Sequence, residues 1–140
     1  MKVTEIMSTE VVSVAMDDTL AVVKDIFDNA SFHHILVVEL GKLCGVISDR
    51  DLLKAISPNI DTVSETTKDI ATLNKKAHQI LTRQLITLTP SAGIYDAISV
   101  FNEYKISCIP IVDDENKPIG IISWRDVFMV IEERKNAKTQ

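Results

Sequence analysis

One short pattern of serine and aspartate occurs twice in the chain. Ser48 precedes Asp51 by three positions, and Ser123 precedes Asp126 by the same spacing. An ionised carboxylate only accepts hydrogen bonds, and its two oxygens are spaced to take two adjacent hydroxyl groups, as in a ribose diol. The pattern therefore predicts two carboxylate anchors for a ligand that carries neighbouring hydroxyls.

The same residues also have a purely structural interpretation. Serine followed three positions later by an acidic residue is an ordinary capping arrangement at the start of a helix. The free backbone N–H groups of such a first turn also attract phosphate. Arg50 and Arg125, which directly precede the two aspartates, either neutralise phosphates or are solvated helix residues. Two copies at matching positions favour the ligand interpretation.

Both motifs belong to a longer internal repeat. Residues 7–56 align with residues 81–131 at an offset of 74, which increases to 75 after one extra residue in the second copy. Gly45 and Gly120 lie inside predicted strands of the two copies. A residue without a side chain lets a ligand or another backbone approach closely, and both possibilities stay open here.

Apolar spacing predicts the same order of elements in each copy. β-branched residues at 11–14, and the corresponding 85–88, indicate a first strand. Apolar residues from Leu20 to Ala30 recur at helical spacing, and two apolar runs then flank a short turn, as in a hairpin. A second helix is expected to follow from Asp49 to Ile56. The order in each copy is therefore βαββα.

This order predicts an α+β fold, or α/β in the broader sense. Residues 1–60 and 81–140 are the expected repeats, packed about a pseudo-twofold axis. Residues 61–80 form a linker that we expect to be helical, with a capping box at Thr62 and Glu65. A three-stranded half leaves one sheet face uncovered, so neither repeat is expected to fold alone.

Composition disfavours several classes of function. The 140 residues are 46% hydrophobic and 25% charged, which is typical of a folded globular domain. The net charge of −5 argues against nucleic acid as a partner, because phosphate neutralisation needs a basic face. No apolar run is long enough for a membrane span and the N-terminus lacks a signal peptide, so we expect a cytoplasmic protein without membrane contact.

Catalysis and metal binding find no support in the sequence. It contains no glycine-rich phosphate loop and no arrangement of nucleophile and base. Cys44 and Cys108 lie in apolar runs and are expected to be buried core residues rather than a redox pair. His33 and His34 are adjacent, so their side chains diverge, and no third metal ligand is suitably spaced. Neither an enzyme nor a cofactor is predicted.

A tandem repeat of this length, ending twice in Gly-apolar-apolar-Ser-x-x-Asp, resembles the cystathionine β-synthase (CBS) domain family, which occurs as tandem pairs. The resemblance covers nearly the whole chain and rests on the repeat, the element order and the doubled motif. It implies a regulatory module, as in energy sensing, that binds AMP, ADP, ATP or S-adenosylmethionine in clefts between the repeats. It implies no reaction.

The resemblance also implies further ligand contacts. Adenine is expected against two apolar strands and near two backbone segments, which are Val12, Ser13, Ile35 and Leu36 in the first repeat and Ile86, Thr87, Ile109 and Pro110 in the second. His33 and His34 occupy the place where some family members have a His-Arg pair near phosphates. The second repeat has Ser107 and Cys108 there, so phosphate binding is expected to differ between the sites.

The expected partners follow from the resemblance and from the predicted helices. Family members pair into homodimers, and several apolar helix residues are expected to be exposed in this chain: Leu52, Leu53, Val127, Phe128 and Val130. We therefore expect a homodimer that binds an adenine nucleotide and acts on an unknown effector protein. The alternative is a ligand-free dimerisation or protein-interaction scaffold that keeps only the fold.

Overall fold

The computed structural model describes residues 1–83 and 85–139, with side chains up to Lys138. Its helices and strands, in chain order, are β1 (Ser13–Val14), α1 (Leu20–Asp28), β2 (His34–Glu39), β3 (Lys42–Ser48), α2 (Asp49–Ala55), α3 (Thr67–Ala71), α4 (Ile94–Glu103), β4 (Cys108–Val112), β5 (Pro118–Ser123) and α5 (Trp124–Thr139). Single turns of 3₁₀ helix lie at Val3–Glu5, Thr72–Asn74 and Ala77–Gln79. The predicted mixture of helices and small sheets is confirmed.

The chain forms two compact units that each draw on both repeats. One unit is Val12–Leu85, and the other combines Met1–Val11 with Ile86–Gln140. We call them the 12–85 unit and the 86–140 unit. Each unit holds the strands and helices of one repeat together with the short segment that precedes the other repeat. We call residues 1–11 and 75–85 the exchanged segments.

In the 12–85 unit, the exchanged segment bonds to the start of α1 and to β3. The N–H of Ala77 donates to the carbonyl of Asp18 at 2.8 Å. Thr82 and Val46 exchange two backbone hydrogen bonds of 2.9 and 3.2 Å. Backbone pairing of this kind satisfies buried polar groups, so the segment is part of the unit.

The 86–140 unit repeats this arrangement at the corresponding positions. The N–H of Val3 donates to the carbonyl of Ala92 at 2.9 Å. Ser8 and Ile121 exchange two backbone hydrogen bonds of 2.9 and 3.0 Å. Val3 lies 74 positions before Ala77. The internal repeat therefore extends further toward the N-terminus than the alignment of residues 7–56.

The 12–85 unit is built on a three-stranded sheet in the order β1-β2-β3. β1 runs parallel to β2, and β2 pairs antiparallel with β3. The N–H of Leu36 in β2 donates to the carbonyl of Val12 at 3.0 Å. One face of this sheet packs with α1 and α2 around a buried cluster of Val14, Leu20, Val23, Ile35, Val37, Ile47, Leu52 and Ala77.

In the 86–140 unit the sheet has two strands, β4 and β5, and the strand predicted at 85–88 is wrong. Only Leu88 bridges to β4, through bonds with Pro110 and Val112 of 3.1 and 3.0 Å. Pro110 takes the place that Leu36 has in the first repeat, and proline has no backbone N–H to donate. The carbonyl of Ile86 therefore cannot receive the bond that Val12 accepts.

The linker prediction is only partly correct. Turns precede α3, whose capping box is formed by Thr66 and Asp69 rather than by Thr62 and Glu65. The Thr62 hydroxyl donates to the carbonyl of Asn59 at 2.6 Å, which holds it in a turn. The carboxylate of Asp69 accepts from the N–H of Thr66 at 2.8 Å, so the helix begins there.

Three of the five helix residues expected to be exposed lie in the core instead. Leu52, Val127 and Val130 are 4%, 5% and 7% exposed, whereas Leu53 and Phe128 are 71% and 65% exposed. Residues three apart share one helix face, so Val127 and Val130 both face inward and Phe128 does not. None of the helices within the described ranges is both long and apolar enough to span a bilayer.

Candidate functional site

In the 12–85 unit, Ser48 and Asp51 form a reciprocal cap at the junction of β3 and α2. The Ser48 Oγ accepts from the N–H of Asp51 at 3.0 Å. The Asp51 Oδ2 accepts from the N–H of Ser48 at 2.9 Å. The structural interpretation of the motif is therefore correct for this repeat.

The 86–140 unit holds Ser123 and Asp126 in the same arrangement between β5 and α5. The N–H of Ser123 donates to Asp126 Oδ2 at 2.8 Å, and the N–H of Asp126 donates to Ser123 Oγ at 3.4 Å. An ionised carboxylate has about four lone-pair sites, so a cap formed through Oδ2 does not exhaust its capacity. Capping and ligand binding are thus compatible.

The arginines of the two motifs lie at the surface. Arg50 and Arg125 are both exposed at the first turns of α2 and α5. Their long side chains can extend their guanidinium groups in several directions while staying hydrated. Both interpretations made from the sequence, phosphate contact and simple solvation, therefore fit their position.

A hydrogen-bonded pair of histidine and aspartate side chains flanks the motif of the first repeat. His33 Nδ1 lies 2.8 Å from Asp49 Oδ2, and the N–H of Asp49 donates to the carbonyl of His33 at 3.0 Å. Partial burial works to raise the pKa of Asp49, but hydrogen bonds from the His33 side chain and the Arg50 backbone outweigh it and hold that pKa below its usual value. Asp49 is therefore ionised at neutral pH.

His34, the second histidine of the first repeat, is half-buried at the start of β2. Burial lowers the pKa of His34, although the negative charge of Asp49 acts in the opposite direction. At neutral pH its imidazole is therefore mainly uncharged. Such a ring carries no positive charge with which to attract a phosphate.

The surroundings of the second motif are neutral. Trp124 takes the place of Asp49, and its ring meets Phe101 edge-on with centroids 6.3 Å apart. Cys108 is half-buried, and burial raises the pKa of its thiol to about 12, so the thiol stays protonated. Cys44 is half-buried as well, so both cysteines are more exposed than the core positions expected for them. Ser107 is exposed.

Within each sheet, the two strand residues predicted to contact adenine lie on opposite faces. Ile35 and Ile109 are fully buried in the cores of their own units. Leu36 and Pro110 follow them directly and are almost fully buried too, at the opposite faces, because successive strand residues alternate. The backbone segments that precede them are more accessible: Val12, Ile86 and Thr87 are half-buried and Ser13 is exposed.

A family model decides what kind of repeat this is. The model for the CBS domain matches residues 3–58 and again residues 77–133. The chain belongs to the CBS domain family. The resemblance noted from the sequence is therefore confirmed, including its occurrence as two repeats.

Curated CBS relatives are longer than this chain. An uncharacterised protein of Methanocaldococcus jannaschii is 32% identical over 129 residues, which are 91% of this chain and 43% of that protein. A second uncharacterised protein of the same organism is 36% identical over 95 residues, which are 68% of this chain and 27% of that protein. The chain spans less than half the length of these relatives.

Solved structures of CBS pairs share the fold. The CBS domain pair of protein MJ0100, in complex with 5′-methylthioadenosine and S-adenosyl-L-methionine, has a TM-score of 0.78 at 23% identity, covering 96% of this chain and 98% of that one. The structure of CBSX2 in complex with AMP has a TM-score of 0.78 at 21% identity, with the same coverage of 96% and 98%.

The motif glycines of the CBS repeats admit the exchanged segments. A side-chain carbon at Gly45 would lie 2.5 Å from Leu81 Cδ1 and 2.8 Å from the carbonyl oxygen of Thr82. The same carbon at Gly120 would overlap the side chain of Met7. The sequence left open whether these glycines admit a ligand or another backbone. In the structure they admit another part of the chain.

The exchanged segments themselves were missed by the sequence analysis. A weak signal for them exists, because Lys2-Val3 and Lys76-Ala77 match at the same offset of 74 as the strands that follow. Both pairs lead into a 3₁₀ turn in which the valine or alanine is fully buried. An alignment begun at residue 1 rather than residue 7 includes them in the repeat, but it does not show which unit each segment joins.

Proposed function

We propose that this CBS pair is a regulatory module that binds adenosine-containing ligands, namely AMP, ADP, ATP or S-adenosylmethionine, and that it catalyses no reaction itself. The observation that carries the proposal is the doubled Ser-x-x-Asp arrangement. Both copies hold an aspartate at the same place between a strand and a helix, with the carboxylate fixed by its own cap. A pre-organised carboxylate loses little entropy when it binds a diol.

Similar proteins support the choice of ligand. The CBS pair of MJ0100 was crystallised with two adenosine compounds, and CBSX2 was crystallised with AMP. In this chain, Asp51 and Asp126 would each accept the two ribose hydroxyls of one ligand. Ser48 and Ser123 would stand beside the ribose at the ends of β3 and β5.

The adenine would lie at the edge of the sheet face that carries Leu36 and Pro110, because these two residues, although almost fully buried, belong to neither core cluster, whereas Ile35 and Ile109 do. Of the backbone segments, 86–87 is the better acceptor for the amino group of adenine. The carbonyl of Ile86 has no N–H of residue 110 to bond, whereas the carbonyl of Val12 accepts from Leu36 at 3.0 Å.

Phosphates would be bound differently at the two repeats. His33 and Arg50 can each reach a phosphate at the first repeat, although the ionised Asp49 reduces the local positive charge. At the second repeat, Arg125 is accompanied by the neutral Trp124 and Cys108. We therefore expect the difference between the AMP affinity and the ATP affinity to be larger at the first repeat than at the second.

The proposal includes a cellular setting. Ligand binding would be read out by an effector protein in the cytoplasm, in a process such as energy sensing. Coupling of this kind requires that the effector bind the ligand-bound and ligand-free forms with different affinity.

Calorimetric titration with AMP and ATP tests the ribose assignment. Asp51→Ala and Asp126→Ala should each abolish one site or weaken it by about tenfold or more, because charge-assisted hydrogen bonds contribute about 1.5–3 kcal/mol each. The matched control is Asp69→Ala, which removes an equivalent cap at α3 outside the motif. It should lower the free energy of unfolding by about 0.5–2 kcal/mol and leave nucleotide affinity unchanged.

Two results would contradict the proposal. If the double variant at Asp51 and Asp126 bound nucleotide as well as the natural chain, the aspartates would be caps only. If the natural chain bound none of AMP, ADP, ATP and S-adenosylmethionine, the ligand-free scaffold would be the better description of its function.

A further inference from the structure

One exchanged segment is bonded to the 86–140 unit and then continues directly into the 12–85 unit. Ser8 and Ile121 exchange two backbone hydrogen bonds of 2.9 and 3.0 Å. Val12 follows four positions later, and its carbonyl accepts from the N–H of Leu36 at 3.0 Å. Ser8 and Val12 are therefore fixed in different units. We call the residues from Ser8 to Val12 the N-terminal crossing, and its two ends the anchors.

Each anchor belongs to the surroundings of a ligand site in the proposed function. Ile121, the partner of Ser8, lies two positions before Ser123 in β5. Val12 and Ser13 form the backbone segment that we place beside the adenine of the first repeat. Only three residues separate the anchors. The crossing is therefore a short covalent connection between the surroundings of the two proposed sites.

The other connection between the units has a longer stretch between its anchors. Thr82 exchanges backbone hydrogen bonds with Val46 in β3, and Leu88, six positions later, bonds to β4. Ile86 cannot provide an earlier anchor as Val12 does, because Pro110 has no N–H to donate to its carbonyl. A longer stretch between two fixed ends has more conformations available to it. The N-terminal crossing is therefore the tighter of the two connections.

The middle of the N-terminal crossing has no regular structure of its own. Thr9, Glu10 and Val11 lie outside the helices and strands, and the first two are exposed. A ligand that fixes one anchor reduces the conformational freedom of these residues and of the other anchor. A ligand at the other site then has less freedom left to remove, so it binds more tightly. Coupling of this kind is positive and requires no rearrangement of the backbone.

We propose that the N-terminal crossing couples the two ligand sites, so that a ligand at either repeat raises the affinity of the other repeat by about fivefold or more. The effect is the same in both directions, because a coupling free energy between two sites is reciprocal. The proposal rests on the nucleotide-binding function and adds its regulation. Such a pair responds to ligand concentration more steeply than two independent sites.

Isothermal titration calorimetry with AMP measures the coupling. Asp126→Ala leaves only the proposed site of the first repeat, and Asp51→Ala leaves only that of the second. The coupling factor is the overall association constant of the natural chain for two molecules of AMP, divided by the product of the two single-site constants. We expect this factor to be about five or more in the natural chain.

Lengthening the crossing tests the route of the coupling. Two glycines inserted between Thr9 and Glu10 give this crossing the same six positions that separate Thr82 from Leu88. The coupling factor should fall to about one, while each single-site constant changes by less than about twofold. The matched control places two glycines between Val63 and Ser64, in an exposed turn of the linker, and should keep the factor of the natural chain.

A second variant releases an anchor without changing the length of the chain. Ser8→Pro removes the donor of the 2.9 Å bond to Ile121, so it should also lower the coupling factor. Thermal unfolding of each variant shows whether the fold is intact, and the factor of the natural chain tests the proposal whatever the variants do.

The possible outcomes separate this proposal from the proposed function. Two AMP sites that bind independently in the natural chain overturn the coupling and leave the nucleotide-binding function in place, as does binding at one repeat only. A natural chain that binds no nucleotide overturns both. The coupling route is also overturned if the insertion after Thr9 keeps the factor, or if the insertion after Val63 lowers it as strongly.

Discussion

The two CBS repeats of this chain keep the same backbone arrangement and differ in three local features. The first repeat has a paired first strand, a histidine–aspartate pair beside its motif and charged residues at several helix positions that are apolar in the second repeat. In the second repeat, a proline replaces the residue to which that first strand bonds, a tryptophan lies beside the motif and more large apolar residues are exposed on the helices. The differences are therefore not required by the fold.

The first difference can be tested through the strand pairing that Pro110 prevents. Leu36→Pro removes the donor of the 3.0 Å bond to Val12 in the first repeat and leaves the carbonyl of this half-buried residue without that donor. Leu36→Ala, which loses only side-chain packing, is the matched control and should lower the free energy of unfolding by about 2–5 kcal/mol. Leu36→Pro should lower it by about 1–3 kcal/mol more than this control, as measured by urea unfolding.

The reverse exchange should have little effect. Pro110→Leu restores an N–H to β4 without removing any bond that the second repeat makes, so its stability should change by no more than about 1 kcal/mol. Equal costs for Leu36→Pro and Leu36→Ala would mean that the bond between β1 and β2 contributes nothing to the difference between the repeats.

A smaller difference is expected at the two motif glycines. Gly45→Ala would press against a backbone carbonyl at 2.8 Å, and backbone moves only with difficulty. For Gly120→Ala the three nearest atoms all belong to the side chain of Met7, whose rotatable bonds let it move aside. We expect losses of about 2–3 kcal/mol for Gly45→Ala and about 1 kcal/mol for Gly120→Ala in thermal unfolding. Equal losses would show that both exchanged segments are held with the same rigidity.

The smallest effect concerns the histidine–aspartate pair beside the first motif. The pKa of Asp49 in the folded chain lies below its ordinary value of 3.8, so this group stabilises the fold above that value and the contribution disappears as pH falls through the folded pKa. The carboxylate is nearly half exposed, which limits the contribution to a few tenths of a kcal/mol.

Asp49→Asn should therefore lower the unfolding temperature slightly at about pH 7 and by less at about pH 3, where the contribution is being lost. Trp124 at the equivalent position has no charge to lose, so Trp124→Phe should shift the unfolding temperature by the same amount at both pH values. A pH-independent effect of Asp49→Asn would assign the stabilisation to hydrogen bonding alone.

Sequence patterns predicted the features that depend on local spacing. The doubled motif, the order of helices and the hairpins all follow from residue types a few positions apart, and the family match confirms the repeats. The exchanged segments could not be found in this way, because Val3 pairs with Ala92 and Thr82 pairs with Val46 across long stretches of chain. Apolar periodicity carries no information on such distant partners.

Two other errors had visible causes in the sequence. Pro110 lies in an apolar run typical of a strand, but it has no N–H to donate, which is itself a signal in the sequence against a paired strand at 85–88. Thr62 with Glu65 and Thr66 with Asp69 are two capping candidates four residues apart, and only the second has a neighbouring hydroxyl, that of Ser57, at 2.7 Å to fix its carboxylate. Local rules alone could not choose between them.

The exchange of N-terminal segments also sets an order of assembly during translation. The 12–85 unit has all its residues once Leu85 has left the ribosome, and domains generally fold as they emerge. Residues 1–11 are made before the rest of the 12–85 unit, yet their partners Ala92 and Ile121 are made much later. This segment must therefore wait, with Val3 and Met7 uncovered, until residues 92 and 121 have also been synthesised.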